Sequence, residues 1–436
     1  MIKNSIFLRI VLSIGVIVLL IVPLTMIQSL IHERQSYRNE VVTEINKSWA
    51  DNQVVAGPIL TILNEKWIEN QDGKKYRAQN SYHLLPEKLE YEAELFPETR
   101  YRGIYEVTLY KAKIRTTGYF DLVKIRTMKF EDLLVDKVES YLSFNVSDLK
   151  GIQENVIYKW NDEQQEVTPG LKTQDIFKNG FTSDVKINKT AKKYYFDITV
   201  QLKGSENLEF IPIGKTTDVV MKSKWDNPSF VGKFLPSARE VTSSGFNAKW
   251  RVNNFNRNYP QEWYNNNYDP YSSTFGVKLL IPVDEYQKTM RTSKYGIMII
   301  LLTFISFFMI EIFNKKVLHP IQYLLIGLAL LIFYSILLSL SEYILFQYSY
   351  LIAALLVVGL ISLYTSSIYA NFKLGVVIGV ILTIFYGFMY IILQMQDYSL
   401  LLGNIALFII LAAIMLLTRK INWYDDLSSK KNNEQK

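Results

Sequence analysis

The 436-residue chain contains no cysteine, which excludes thiol catalysis, disulfide bridges and metal sites with cysteine ligands. Histidine is also scarce, with only His32, His83 and His319 in the chain. The topology derived below separates His319 from the other two, so we expect no histidine cluster. A carboxylate site stays open, but no calcium loop of the EF-hand type is present. We therefore expect no metal ion and no cofactor.

Charge is nearly absent from the last third of the chain. From residue 320 to 418 the charged residues are Glu342, Lys373 and Asp397. An apolar run of about 18 residues or more is long enough to cross a bilayer as a helix. The sequence has six such runs, at about 10–31, 296–313, 320–341, 349–370, 374–393 and 398–418. We predict an α-helical membrane protein with six transmembrane helices, one N-terminal and five C-terminal, and a large extracytoplasmic β-rich domain.

The signs of the remaining charges predict the orientation. With six spans, one face of the membrane receives these basic residues: Lys3, Arg9, Lys315, Lys316, Lys373, Arg419 and Lys420. The short connections on the other face hold only Glu342 and Asp397. Because Lys and Arg favour the cytoplasmic face, we expect both termini in the cytoplasm and residues 32–294 outside the inner membrane.

The chain ends are interpreted separately. Residues 1–31 have the basic start and apolar centre of a signal peptide, but no Ala-x-Ala type cleavage site follows. We therefore predict an uncleaved anchor. Residues 295–424 form the predicted five-helix bundle. The polar stretch 425–436 is predicted to be a disordered cytoplasmic tail.

The sequence pattern of residues 32–294 predicts a β-rich domain with one helical segment. In residues 194–204 large apolar side chains alternate with polar ones, which is typical of a strand with one buried face. Residues 106–122, 208–214 and 275–283 follow similar patterns, and together they predict an antiparallel sandwich or a related fold. Residues 34–50 instead look helical, as a continuation of the first span.

The domain has no motif that predicts catalysis. Gly214-Lys215-Thr216 resembles the end of a phosphate-binding loop, but Glu209 stands where that loop needs a glycine. We interpret this segment as a strand-to-turn junction. A Gly-x-Ser-x-Gly elbow is absent, and neither His32 nor His83 has a local motif for a catalytic triad. The domain is also nearly balanced in charge, so we expect neither an enzyme nor a nucleic-acid-binding protein.

Five polar residues of the predicted bundle are candidate functional residues. They are Glu311, His319, Glu342, Asp397 and Asn404. An ionisable residue inside a membrane is costly and often functional. Glu342 and Asp397 could form a polar pathway or a proton site near the outer leaflet. Alternatively, the two carboxylates are helix-end residues facing water, and Asn404 forms a hydrogen bond between helices.

The chain resembles the CreD family of bacterial inner-membrane proteins. The resemblance extends over residues 34–424 and rests on these segments: SWADNQVVAGPIL (48–60), RYRGIYEV (100–107), DLKGI (148–152), NPSFVGKFLPSARE (227–240), RNYPQ (257–261), the run from His319 to Glu342, YGFMYIILQMQDYSLLLGN and LTRKINWY. It implies a role in cell-envelope integrity and stress tolerance, without an assigned active site. The sequence departs from the family at Tyr343, where a His is common, and at Gln396, where a Glu is common. Both departures weaken a proton relay.

Two classes of function remain open. In the first, the outer domain binds an envelope protein or a cell-wall component, and the bundle anchors it in the lipid bilayer. In the second, the bundle is a transporter or channel. Five clustered spans favour transport, but matching pairs of broken helices are not evident in the sequence. The oligomeric state is not predicted.

Overall fold

The computed structural model describes residues 6–69, 75–123, 139–187, 192–279, 285–314, 316–394 and single positions between 401 and 419. The chain divides into two compact units. The membrane unit comprises Met1–Asn39 and Val283–Lys436, and the β domain comprises Glu40–Pro282. Each unit is described by itself.

The membrane unit consists of helices. Their bounds are α1 (Ile6–Trp49, whose end belongs to the β domain), α2 (Glu285–Lys294), α3 (Gly296–Asn314), α4 (Pro320–Ser341), α5 (Phe346–Tyr369) and α6 (Phe372–Gln394). All except α2 are long and apolar enough to cross a membrane. Four C-terminal helices thus begin and end within three residues of the predicted spans, and α1 continues as a helix beyond the first predicted span. The sixth predicted span, 398–418, is described only at single positions, so its course stays a prediction.

Local sequence explains where two of these helices start and stop. His319 caps α4: its ring Nδ1 accepts a hydrogen bond from the Ile321 amide at 3.3 Å, while Gln322 accepts one from the His319 amide at 2.9 Å. Pro320 suits the first helical position because its missing N–H needs no partner there. Helix α5 ends where Ala370 adopts a left-handed conformation, with φ of 48°.

Glycines allow close contacts between the helices. A Cβ atom added to Gly327 of α4 would lie 2.1 Å from Leu20 of α1. One added to Gly375 of α6 would lie 2.6 Å from the Ser362 carbonyl of α5. These are the small-residue contacts typical of membrane helices. Gly387 of α6 differs, because among the described residues nothing lies within 4 Å of a Cβ placed there.

The helices alternate in direction, which gives the membrane unit two ends. Arg9 of α1, Glu311 of α3 and His319 of α4 line one cavity, at what we call the Arg9 end. The ammonium of Lys316 donates to the Ile368 carbonyl, so the end of α5 also lies there. Glu342 marks the opposite end, called the Glu342 end. Lys316 and Lys373, the basic residues between spans that the structure describes, therefore lie at the Arg9 end.

The β domain contains seventeen strands among its described residues. Their bounds are β1 (Gln53–Glu69), β2 (Lys75–Leu84), β3 (Lys88–Arg102), β4 (Tyr105–Asp121), β5 (Glu139–Val146), β6 (Ile157–Trp160), β7 (Glu163–Gln164), β8 (Thr168–Pro169), β9 (Gly180–Asp184), β10 (Lys193–Ser205), β11 (Asn207–Phe210), β12 (Thr216–Ser223), β13 (Pro228–Gly232), β14 (Ala238–Thr242), β15 (Gly245–Asn253), β16 (Glu262–Tyr264) and β17 (Phe275–Leu279). Gly214 and Lys215 connect β11 to β12, as expected of a strand-to-turn junction.

The strands form two sheets. The first has nine strands, in the order β13-β17-β11-β1-β5-β9-β8, with β2 paired to β1 and β16 to β2. The second has eight, in the order β14-β15-β12-β3-β4-β10-β6-β7. Most pairs are antiparallel, as predicted. The pairs β1–β11 and β12–β3 are parallel, however, so both sheets are mixed, and the fold is related to the predicted antiparallel sandwich without being antiparallel throughout.

One hydrophobic core lies between the two sheets. In β10 the alternation read from the sequence is confirmed, since Tyr194, Phe196, Ile198, Val200 and Leu202 are all buried. The sheets meet directly: the Tyr91 hydroxyl of β3 donates to the Gly57 carbonyl of β1 at 3.0 Å. The rings of Tyr91 and Phe210 of β11 lie 4.7 Å apart. The domain therefore has a core of its own.

The last turns of α1 are tied into the β domain at a site that we call the α1 junction. Arg102 and Glu44 form an ion pair at 2.8 Å. Two cations contact the Trp49 ring: the Arg100 guanidinium lies 4.2 Å and the Lys203 ammonium 4.5 Å from its centre. Cations over an indole face contribute about 0.5–2 kcal/mol each. The β3–β4 hairpin and β10 thus hold the end of the anchor helix.

Candidate functional site

The five polar residues predicted in the bundle do not form one site. Glu311 and His319 lie together at the Arg9 end, and Glu342 lies at the opposite end. Asn404 is helical and exposed among the described residues, with no hydrogen bond between helices recorded for it. Asp397 lies outside the described residues, so its proposed pairing with Glu342 stays a prediction.

The cavity at the Arg9 end is built by α1, α3, α4 and the turn before α4. Its volume is about 510 Å³. Its lining residues are Arg9, Leu12, Ser13, Val16, Glu311, Val317, Leu318, His319, Pro320 and Tyr323. Glu311 is only 3% exposed and accepts a hydrogen bond from the Leu318 amide. The guanidinium of Arg9 interacts with it electrostatically. The cavity therefore contains one buried anion and one cation.

Tyr323 adds a second buried polar group to this cavity. It is 4% exposed, and the rings of Phe304 and Phe307 pack edge-on against it, at 5.1 and 6.4 Å. Its hydroxyl has no hydrogen-bond partner of normal geometry among the described residues, although it is close enough to Glu311 to interact with its charge. A buried hydroxyl without a partner costs about 1–3 kcal/mol. Glu311 and Tyr323 thus form two neighbouring buried polar groups beside the cavity.

Glu342 is a helix-end residue, but it does not face water. It caps the C-terminus of α4, and its side chain is 11% exposed. The hydroxyl of Tyr286 in α2 donates to Glu342 Oε1 at 3.0 Å, and Arg34 Nε of α1 lies 3.9 Å from the same oxygen. The carboxylate thereby connects three helices. A charged hydrogen bond of this kind contributes about 1.5–3 kcal/mol.

Of the two departures from the family pattern, the structure describes one. Tyr343, where a His is common in the family, is 76% exposed beside Glu342. Gln396 lies outside the described residues.

In the β domain the structure brings together three polar residues that the sequence did not connect. The register of β1 and β2 pairs Thr61 with His83. Thr61 Oγ1 lies 3.0 Å from His83 Nδ1, and Asp175 Oδ2 lies 3.3 Å from His83 Nε2. Burial lowers the pKa of His83, while Asp175 opposes this effect. A separation of 92 residues between His83 and Asp175 leaves no local motif to find.

This group resembles a catalytic triad in composition but lacks the access that catalysis needs. Thr61 and His83 are each 1% exposed. A nucleophile must reach the substrate, but the hydroxyl of Thr61 is buried in the β domain and no substrate can reach it. Trp263 packs against the His83 ring at 6.0 Å and closes the site further. We interpret the group as a buried polar network that fixes the segment carrying Asp175 to the sheet.

Arg257 is the most unusual buried charge of the β domain. It is 5% exposed, and among the described residues it has no carboxylate within ion-pair distance. Its guanidinium donates instead to the carbonyls of Tyr259 at 2.6 Å and Pro260 at 3.2 Å, with longer contacts to Gly214 at 3.4 Å and Ile213 at 3.5 Å. Burial lowers the pKa of Arg257 to about 10. Arg257 therefore gives the RNYPQ segment a structural role, since its guanidinium joins this segment to the carbonyls of Ile213 and Gly214.

Comparisons with known proteins agree with the architecture. The family model described as "Inner membrane protein CreD" matches residues 5–424. A curated relative, the inner membrane protein CreD of Escherichia coli K12, is 29% identical over 429 residues, covering 97% of this chain and 95% of its own length.

Solved structures add little. A candidate nutrient binding protein from Legionella pneumophila aligns at 8% identity over 57% of this chain and 85% of that chain, with a TM-score of 0.25. An M1 zinc metallopeptidase from Deinococcus radiodurans aligns at 7% identity over 49% of this chain and 53% of that chain, with a TM-score of 0.21. Such TM-scores carry no argument about fold or function. The near-complete match to the family model, together with the membrane helices that flank the β domain, shows that the chain belongs to the CreD family of inner membrane proteins.

Proposed function

We propose that this protein supports the integrity of the cell envelope, with the β domain binding an envelope protein or a cell-wall component on the periplasmic side. The membrane helices anchor that domain in the lipid bilayer. This proposal follows the family membership and assigns the activity to binding, not to catalysis. We further propose that this binding maintains the tolerance of the cell to envelope stress.

The observation that carries the proposal is the independence of the β domain. Glu40–Pro282 is a compact unit with two sheets and its own core. A pure membrane transporter has no need for such a large folded domain, whereas a binding protein does. The last turns of α1 are part of this unit, where Trp49 contacts Arg100 and Lys203.

The distribution of charge supports the proposed orientation. Arg9, Lys316 and Lys373 belong to the Arg9 end of the membrane unit, and positive residues favour the cytoplasm. We infer that both termini are cytoplasmic. A sixth helix at 398–418 would return the chain to that side, which places Arg419 and Lys420 with the other basic residues.

A binding role also agrees with the buried polar groups of the β domain. His83 and Thr61 are closed to substrate, and Arg257 is occupied by backbone carbonyls. These groups stabilise the fold. We therefore propose that the protein is not an enzyme.

Transport is the second candidate function, and the cavity at the Arg9 end favours it. The buried carboxyl of Glu311 and the cation of Arg9 line this cavity, as ionisable groups would line a polar pathway. Against it, helices α3 to α6 are each continuous, whereas many transporters bind substrate at broken helices. The binding proposal requires no charged pathway through the bundle.

Complementation distinguishes the two functions. A strain lacking the protein is challenged with detergent or a cell-wall antibiotic, and Glu311→Gln, Glu342→Gln or Asp397→Asn is expressed at the membrane level of the wild type. The binding proposal expects all three variants to rescue survival fully. Failure of Glu311→Gln or Asp397→Asn, with normal insertion and with thermal stability equal to that of the wild type, would support transport instead.

A further inference from the structure

We propose that the cavity at the Arg9 end binds the headgroup of a zwitterionic aminophospholipid, with its ammonium on Glu311 and its phosphate on Arg9. This site is separate from the binding role proposed for the β domain. It makes the protein a receptor for one class of membrane lipid.

The charges of the cavity select a zwitterion. Glu311 is 3% exposed and Arg9 lines the same cavity, so a ligand meets one anion and one cation. An anionic headgroup would place its phosphate near the Glu311 carboxylate with no ammonium to offset the repulsion. Arg9 and Glu311 already offset each other's charge, so a zwitterion, which adds no net charge, keeps the buried site balanced.

The hydroxyl groups of the cavity favour a phosphate. Ser13 supplies a hydroxyl on the cavity wall, and phosphate oxygens are strong acceptors. Tyr323 also lines the cavity; its own hydroxyl is buried and interacts with Glu311, so the phenol positions the carboxylate that receives the ammonium.

The walls of the cavity point to a lipid. Leu12, Val16, Val317, Leu318 and Pro320 line it beside the charged groups. Leu12 is 42% exposed and Val317 is 48% exposed, so apolar side chains form part of its rim. Acyl chains can leave past these residues into the bilayer. A volume of about 510 Å³ lies within the range of about 300–1,000 Å³ found for small-molecule sites.

A primary ammonium fits Glu311 better than a quaternary one. The amine of phosphatidylethanolamine donates hydrogen bonds, whereas the choline of phosphatidylcholine has no N–H to donate. A hydrogen bond to a charged group changes binding by about tenfold or more. We therefore expect the protein to retain phosphatidylethanolamine over phosphatidylcholine by about tenfold.

Native mass spectrometry of the purified full-length protein tests the proposal. The protein is exchanged into detergent containing equal amounts of phosphatidylethanolamine, phosphatidylcholine and phosphatidylglycerol with identical acyl chains. Separate samples receive only inorganic phosphate or phosphoethanolamine. The wild type is expected to retain phosphatidylethanolamine selectively and to bind neither soluble compound.

Four variants define which residues act. Glu311→Gln is expected to bring the ratio of the two zwitterionic lipids close to one. Arg9→Gln and Tyr323→Phe are expected to lower retention of both lipids while preserving their ratio. Glu342→Gln, the same change at the opposite end, should behave as the wild type.

Three results would overturn the proposal: equal retention of all three lipids by the wild type, unchanged selectivity in Glu311→Gln, or preference for phosphatidylglycerol. Binding of phosphoethanolamine or phosphate with the affinity of the lipid would also overturn it, because the ligand would then be a soluble compound. If Glu311→Gln does not fold, Arg9→Gln and Tyr323→Phe still test the proposal. Unchanged lipid retention in both variants would contradict the assigned contacts.

Discussion

Arg257 offers a quantitative test of how the β domain is held together. Replacing it with Met keeps most of the side-chain volume but removes the donors to the Tyr259 and Pro260 carbonyls, which lie at 2.6 and 3.2 Å. Each charged hydrogen bond contributes about 1.5–3 kcal/mol. Because the Met side chain is uncharged, the variant avoids the cost of burying a cation, and this offsets part of the loss. We expect Arg257→Met to lower the free energy of unfolding by about 3 kcal/mol.

Tryptophan fluorescence during thermal unfolding of the full-length protein measures this effect. Six of the seven tryptophans lie between residues 33 and 294, and Trp250 is 2% exposed, so the signal reports on the β domain. For a domain of this size about 3 kcal/mol lowers Tm by roughly 6–12 °C.

Arg251→Met is the matched control for this experiment. Its side chain is 68% exposed and pairs with Asp218 at 2.6 Å. A surface pair of this kind contributes little to stability, because solvent screens it. If Arg257→Met destabilises the domain no more than Arg251→Met does, the assigned role of the buried guanidinium is wrong.

Three further predictions concern pH, packing and orientation. Because burial lowers the pKa of His83, its unfolded form binds a proton more readily, and stability should fall by up to about 1.4 kcal/mol per pH unit below about pH 6.5; His83→Gln should flatten this slope in pH-dependent unfolding. Gly375→Leu should cost about 1–3 kcal/mol in thermal unfolding, because a Cβ there lies 2.6 Å from a carbonyl of α5, whereas Gly387→Leu should be tolerated. In this cysteine-free chain, an impermeant maleimide should label Tyr343→Cys in spheroplasts but Asn371→Cys only after permeabilisation; the reverse pattern would contradict the orientation.

The membrane helices were predictable because their signal is local. Helix α4 has the bounds read from the sequence, Pro320–Ser341, since His319 and Pro320 mark its start and Glu342 its end. Helix α5 begins at Phe346, three residues before the predicted start. Strand β10 was equally predictable, because successive side chains of a strand point to opposite faces and only one face of β10 is buried.

Contacts between distant segments could not be predicted in the same way. The parallel pairing of β1 with β11 joins residues more than 150 positions apart, and no local pattern encodes it. Glu311 and His319 were each candidates from composition. Their association with Arg9 depends on the packing of α1 against α3 and α4, which places three separate segments around one cavity. Asp175 reaches His83 through the same kind of long-range contact.

The most direct test of the account asks whether the β domain acts without its own bundle. Residues 32–282 are fused to an unrelated single-span anchor with the same orientation and expressed in the strain lacking the protein, at wild-type membrane levels. Tryptophan fluorescence confirms that the domain is folded. The account predicts partial rescue of survival under envelope stress. A folded, correctly inserted fusion that gives no rescue would contradict it and assign the activity to the membrane helices.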